Sequence, residues 1–180
     1  MRRIACLLAC MCVLLVAHAQ NSPAAKACVA EVRKMYQEAK EMMAESDKHE
    51  EMQNDMVVTI SSMEAAIGRQ VTTYHYYFLN DYEEKLSTYV SRPYFVTRSF
   101  NVAPRKYYEE YMYDFATATL RFAFMQWEDI SGKVVEERYY FDKNDRLVWH
   151  MLKNIDEARP AEDIKHASDN NLNAFYSLKR

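Results

Sequence analysis

Lys133–Leu152, KVVEERYYFDKNDRLVWHML, reads as a β-hairpin. Two runs rich in Val, Tyr, Phe and Trp flank Lys143-Asn144-Asp145. Asn and Asp tolerate the left-handed backbone that a tight reversal needs, and β-branched and aromatic residues fit a pleated strand. Looser versions of the unit occur at Tyr74–Ser91 and Tyr107–Trp127. One hairpin design used three times, together with helices, predicts an α+β protein.

Working outward, the period stays near two from Met56 onward. It predicts eight strands at about 56–63, 70–79, 85–91, 94–102, 105–113, 118–127, 133–142 and 146–152. The connections are short and carry Gly68-Arg69, Asn80-Asp81, Arg92-Pro93, Ala103-Pro104 and Ser131-Gly132. Strands joined so tightly are antiparallel, and with no helix between them a βαβ unit and a Rossmann-type nucleotide site are excluded. The expected fold is an N-terminal helix packed on a curved antiparallel meander of about eight strands, with a short helical tail.

The helix is marked by Ser22-Pro23, an oxygen-bearing cap followed by proline at the first helical position. Ala25, Val29, Val32, Met35, Tyr36, Ala39 and Met43 then recur on one face, predicting a helix over about 23–46. Cys28 falls in the same stripe and is expected to be an unreactive core thiol. Asp47–Asp55 is a charged exposed link, and His49 beside Glu50 and Glu51 has no geometry for a metal. After Lys153 the pattern breaks at Pro160. Ala161–Arg180 reads as a broken helical tail, because Asp169-Asn170-Asn171 is a poor helix interior.

The chain begins with Arg2-Arg3, an apolar run from Ile4 to Ala17, and Ala17-His18-Ala19. This order predicts a secretory signal peptide over 1–19, cleaved before Gln20. The run is short for a membrane span. Leu7-Leu8-Ala9-Cys10 also has the form of a lipoprotein box, with Cys10 as the lipidated residue. The expected mature protein is one domain, 20–180, in the periplasm or secreted. Removing 1–19 takes two of the 23 basic residues and none of the 26 acidic ones, which leaves a net charge of −5. That charge gives no electrostatic basis for binding nucleic acid. Only Cys28 of the four cysteines remains, so no internal disulfide forms.

Motifs for chemistry are scarce. There is no HExxH, paired Cys, Walker loop, GxGxxG or GxSxG, so no metal site and no cofactor are expected. Glu83-Glu84, Glu109-Glu110 and Glu136-Glu137 offer paired carboxylates of the kind glycoside hydrolysis uses. Consecutive strand residues point to opposite faces, however, and split each pair across the sheet. Ion pairing with Lys106, Arg121, Arg138 and Arg146 is the expected use. His75 or His150 with a strand glutamate is the remaining centre for a hydrolase.

Tyr139-Tyr140-Phe141-Asp142 followed by Arg146-Leu147-Val148, echoed at Tyr76-Tyr77-Phe78 with Asn80-Asp81, resembles the YxFDxxGxL hairpins of MORN-like repeat proteins. It is also similar to exported bacterial proteins that combine an N-terminal helix with such hairpins. Asp145 stands where that repeat has glycine. The resemblance implies an interaction role and brings no catalytic residue.

The 14 Tyr exceed what one helix covers. The reading that follows is an exported, non-enzymatic binding protein whose Tyr-rich sheet face meets a protein or glycan, with Tyr76, Tyr108, Tyr111, Tyr139 and Trp149 as binding residues. The alternative is a carrier in which the strands curl into a half-barrel around a lipid or other small apolar ligand, lined by Phe122, Phe124 and Trp149.

Overall fold

The computed structural model describes residues 22–48, 54–85 and 87–179. The signal-peptide and lipoprotein readings at 1–19 and Cys10, and the His49 link over 49–53, lie outside the described residues. Helix α1 (Pro23–Ser46) is followed by strands β1 (Asp55–Glu64), β2 (Gly68–Glu83), β3 (Thr88–Val102), β4 (Arg105–Tyr113), β5 (Leu120–Glu128), β6 (Val134–Phe141) and β7 (Leu147–Lys153). Helix α2 (Ala161–Leu178) closes the order. The strands form one antiparallel sheet in sequence order, open at β1 and β7.

The strand count corrects the expectation of eight. The runs at 85–91 and 94–102 belong to a single β3, and Arg92-Pro93 is no turn. Tyr77 pairs with Phe95 and Phe78 with Pro93, so Tyr94 is the extra residue of a bulge. A bulge is where a sheet tolerates a residue that donates no ladder hydrogen bond.

Three successive turns share a device. Asp114, Asp129 and Asp142 each close the preceding strand, and the Oδ1 of each accepts two backbone N–H bonds from the turn. Each turn also carries a positive-φ residue: Ala118 at 56°, Gly132 at 77° and Asp145 at 58°. The carboxylate holds the loop while Asn, Asp, Ser and Thr fill it, which explains how a chain with only two glycines builds so many reversals. All three carboxyl groups are held below the usual range. For Asp114 and Asp142, partial burial opposes the hydrogen bonds and the bonds prevail. For Asp129 the Ser131 and Lys133 donors dominate.

Helix α1 starts as its sequence dictates, with Ser22 Oγ accepting from the Ala25 N–H at 3.1 Å. Its Val29, Val32, Ala39 and Met43 pack on Tyr77, Tyr94, Phe95, Met112, Phe122 and Tyr140. Arg121, only 1% exposed, ties the helix to the sheet. It donates to Glu31 of α1 at 3.2 Å, to Asp114 at 3.3 Å and to the Phe141 carbonyl at 3.3 Å. A buried charge is tolerable only when so satisfied.

The tail is one continuous helix, which corrects the broken reading. Asp169 and Asn170 face solvent, while buried Ser168 and Asn171 meet the sheet, where the Tyr113 hydroxyl donates to the Ser168 carbonyl at 3.3 Å. Ile164 and Phe175 pack against Tyr76, Phe78, Val96, Tyr111, Tyr113, Leu120, Tyr139 and Phe141. The second sheet face is thus covered by α2, not by barrel closure.

Candidate functional site

Both helices lie over the same half of the sheet. Alternation from the core positions Phe95, Met112, Phe122 and Tyr140 assigns Ser99, Tyr108, Gln126 and Arg138 to the α1 face, on the half that extends past the helices. Here an open cleft of about 950 Å³ occurs. Thr73, Ser99, Lys106, Tyr108, Gln126 and Glu128 line its floor, and the β3–β4 and β5–β6 turns contribute Pro104, Arg105, Asp129 and Ile130. Hydroxyl, amide, charged and aromatic groups therefore converge on one concavity. Tyr108 is fixed within it by donating to Glu110 Oε1 at 2.8 Å. Burial, with the nearby Glu110 carboxylate, raises its phenol far above the ordinary value.

The opposite face of this half is built differently. Phe100, Tyr107 and Trp127 form a ladder across three strands, with ring centroids 4.9 and 6.4 Å apart. Arg98 lies 4.2 Å above the Phe100 ring and Arg159 lies 5.6 Å above that of Trp127. Beside them Glu109 accepts from Arg98 at 3.3 Å and from the Tyr111 hydroxyl at 3.0 Å. Glu137 accepts from Arg159 at 2.8 Å and from the Tyr139 hydroxyl at 3.1 Å. Arg159 also reaches Glu109 at 3.8 Å and so bridges the two carboxylates.

The adjacent glutamates split across the sheet: Glu110 faces α1, where Tyr36 and Lys40 donate to it at 2.7 and 2.8 Å, while Glu109 faces the other way. Glu109 and Glu137 each pair with Met125 of the intervening strand and so stand level on one face. Of the expected ion partners, Arg138 does hold a strand glutamate, Glu136, at 2.7 Å, whereas Arg121 and Arg146 turn to other carboxylates. Arg121 pairs with Glu31 and Asp114, and Arg146 with Asp142, while Arg98 and Arg159 hold Glu109 and Glu137.

Of the five residues named from the sequence, Tyr76, Tyr111 and Tyr139 are buried between sheet and α2 and present no surface to a partner. Trp149 is half-buried and packs in the α1 core, and Phe122 is buried there, bordering a small cleft of about 270 Å³ that α1 shares with Tyr140. Tyr108 alone lies on the cleft. Thr73, Ser99 and Gln126 were missed. Their signal is a change along one face, as in Phe122, Phe124, Gln126 and Glu128, from apolar to polar where the helix ends its cover.

His75 has an aspartate partner in place of the expected glutamate. Its Nε2 is 2.6 Å from Asp55 Oδ2 and its Nδ1 is 2.9 Å from the Tyr77 hydroxyl. The Tyr77 phenol is pushed up to about 12, first by burial and then by the Asp47, Asp55 and Tyr94 charges. The phenol and the imidazole thus share a hydrogen bond beside the Asp55 carboxylate. His150 lies against the Tyr139 ring, with centroids 6.5 Å apart. Cys28 is half-buried, at the margin of the core; its Sγ is 3.7 Å from the Phe141 carbonyl, and burial raises its thiol. Among the described residues no cluster of His, Cys, Asp and Glu has metal-binding geometry, and no helix is long and apolar enough to cross a membrane.

No protein-family model matches the chain, and no curated protein or solved structure is significantly similar to it.

Proposed function

We propose that the chain is an exported, non-enzymatic binding protein that holds an oligosaccharide in the cleft on the uncovered half of its sheet. The observation that carries this reading is the cleft itself, about 950 Å³ and open, with hydroxyl, amide and phenol groups along one strand face. A volume of that size matches small-ligand sites, whose few placed polar groups fix orientation. Sugar hydroxyls bond well to Ser, Thr, Asn and Gln, and an open groove suits a chain that continues past its ends. A lipid carrier needs an enclosed apolar cavity, whereas Phe122 and Trp149 pack against α1. Export rests on the basic, apolar and Ala-x-Ala order of the first nineteen residues.

A glycan array probed with the purified protein tests the reading. It should return a defined set of oligosaccharides, and Gln126→Ala should weaken their binding about fivefold, as expected for one lost hydrogen bond of about 1 kcal/mol. Uptake of a fluorescent fatty acid with no glycan bound would overturn it.

A further inference from the structure

The two edges of the open sheet are unlike. β7 is seven residues long, is interrupted by a bulge at Val148, ends on Lys153 and has Arg33 of α1 against its Met151. β1 is ten residues long, pairs with β2 without interruption and carries no charge between Asp55 and Glu64. No Pro, Lys or bulge blunts it, although sheet edges generally carry such a guard against further pairing. Val57, Ile60 and Met63 are 58%, 55% and 76% exposed along it.

The hydrogen-bond phase of this edge follows from its partner strand. Phe78 N–H donates to the Asn54 carbonyl at 2.9 Å, so even-numbered β1 residues turn their backbone groups toward β2. The facing hydroxyls of Thr59 and Thr73, 3.3 Å apart, fit the close approach of a pair without ladder bonds. Asp55, Val57, Thr59, Ser61 and Met63 therefore direct their N–H and C=O groups outward.

We propose that the β1 edge is a homodimer interface, in which a second copy adds its own β1 antiparallel about a two-fold axis at Thr59. In that register Thr59 meets its own copy, Val57 faces Ser61 and Asp55 faces Met63, so no like charges stand opposite. On the α2 side Ile60 meets the partner subunit's Val58. The pairing is isologous and consumes the edge, so assembly stops at two. It joins twice seven strands into one sheet and turns both clefts to the same side. This inference stands whether or not the cleft binds a glycan.

Sedimentation velocity of the purified protein at micromolar concentration tests it. The wild type should sediment as a dimer. Thr59→Lys, which places two ammonium groups on the axis at an exposed position, should weaken self-association more than tenfold while leaving the circular dichroism unchanged. Thr59→Pro removes an outward N–H that serves no ladder bond and should act likewise, whereas Tyr89→Lys, at an exposed ring elsewhere, should leave the dimer intact. A monomeric wild type, larger open-ended assemblies, or a dimer that survives Thr59→Lys would each overturn the proposal.

Discussion

Between the helices, the central strands carry unbroken buried runs: Tyr76–Phe78, Pro93–Val96, Glu109–Tyr113 and Tyr139–Phe141. Past the helices the same strands alternate or turn polar, as in Thr97-Arg98-Ser99-Phe100-Asn101 and Gln126-Trp127-Glu128. A strand covered on both faces cannot alternate, because polar side chains on either face would lose water without gaining a partner. Where cover ends, one face keeps hydroxyls and amides around a cleft and the other holds aromatic rings under arginines. The unbroken buried aromatic runs are thus a signature of two-sided burial in one half, and the open cleft belongs to the other.

The largest expected effect of this difference is alkaline unfolding. Burial is the leading cause that pushes Tyr76, Tyr77 and Tyr94 up to about 12, and it also raises Tyr111, Tyr113 and Tyr139. An unfolded phenol titrates near pH 10, so the folded state favours the proton. That stability is fully present below about pH 10 and is lost as pH climbs toward and past 12. Phenolate absorbance should rise together with a cooperative loss of near-ultraviolet dichroism. A gradual rise over an intact fold would break the two-sided account.

Next in size is Phe175→Ala. This ring is fully buried and touches Tyr76 and Phe78, with centroids 5.5 and 5.4 Å away. Its loss should cost about 3–5 kcal/mol in urea unfolding, the range of large core truncations. Trp127→Ala removes a larger ring from the uncovered half, where it is only partly buried. It should cost no more than about 1–2 kcal/mol, since little cavity forms where water can enter. Equal costs for the two would erase the distinction between the halves.

Much of this fold is readable from the residues alone. Ser22-Pro23 places the start of α1, and the Asn144-Asp145 turn is where the chain needs it, with Asp145 in the left-handed region. α2 was less legible, because Asp169-Asn170-Asn171 weighs against a helix by local preference. What overrides that preference is Tyr113, 55 residues from Ser168, which is a tertiary fact. β3 runs through Pro93 because a bulge opposite Tyr77 and Phe78 absorbs it, and no local pattern announces a bulge. Of the site, Tyr108 was legible as one aromatic among many. Ser99, Thr73 and Gln126 were not, since their value depends on where two helices from opposite ends of the chain stop covering the sheet. The bridge from Glu109 to Glu137 likewise needs Arg159, which lies beyond the last strand.

The central claim is that ligand meets the uncovered half of the sheet while the half between the helices serves as scaffold. Amide shift mapping of the isotope-labelled protein, titrated with the oligosaccharides that the array selects, tests it most directly. The account predicts shifts concentrated at Thr73, Ser99, Lys106, Tyr108 and Gln126, with Tyr76, Tyr111 and Tyr139 unmoved. Shifts centred on those three buried tyrosines and on α2, with the cleft silent, would contradict it.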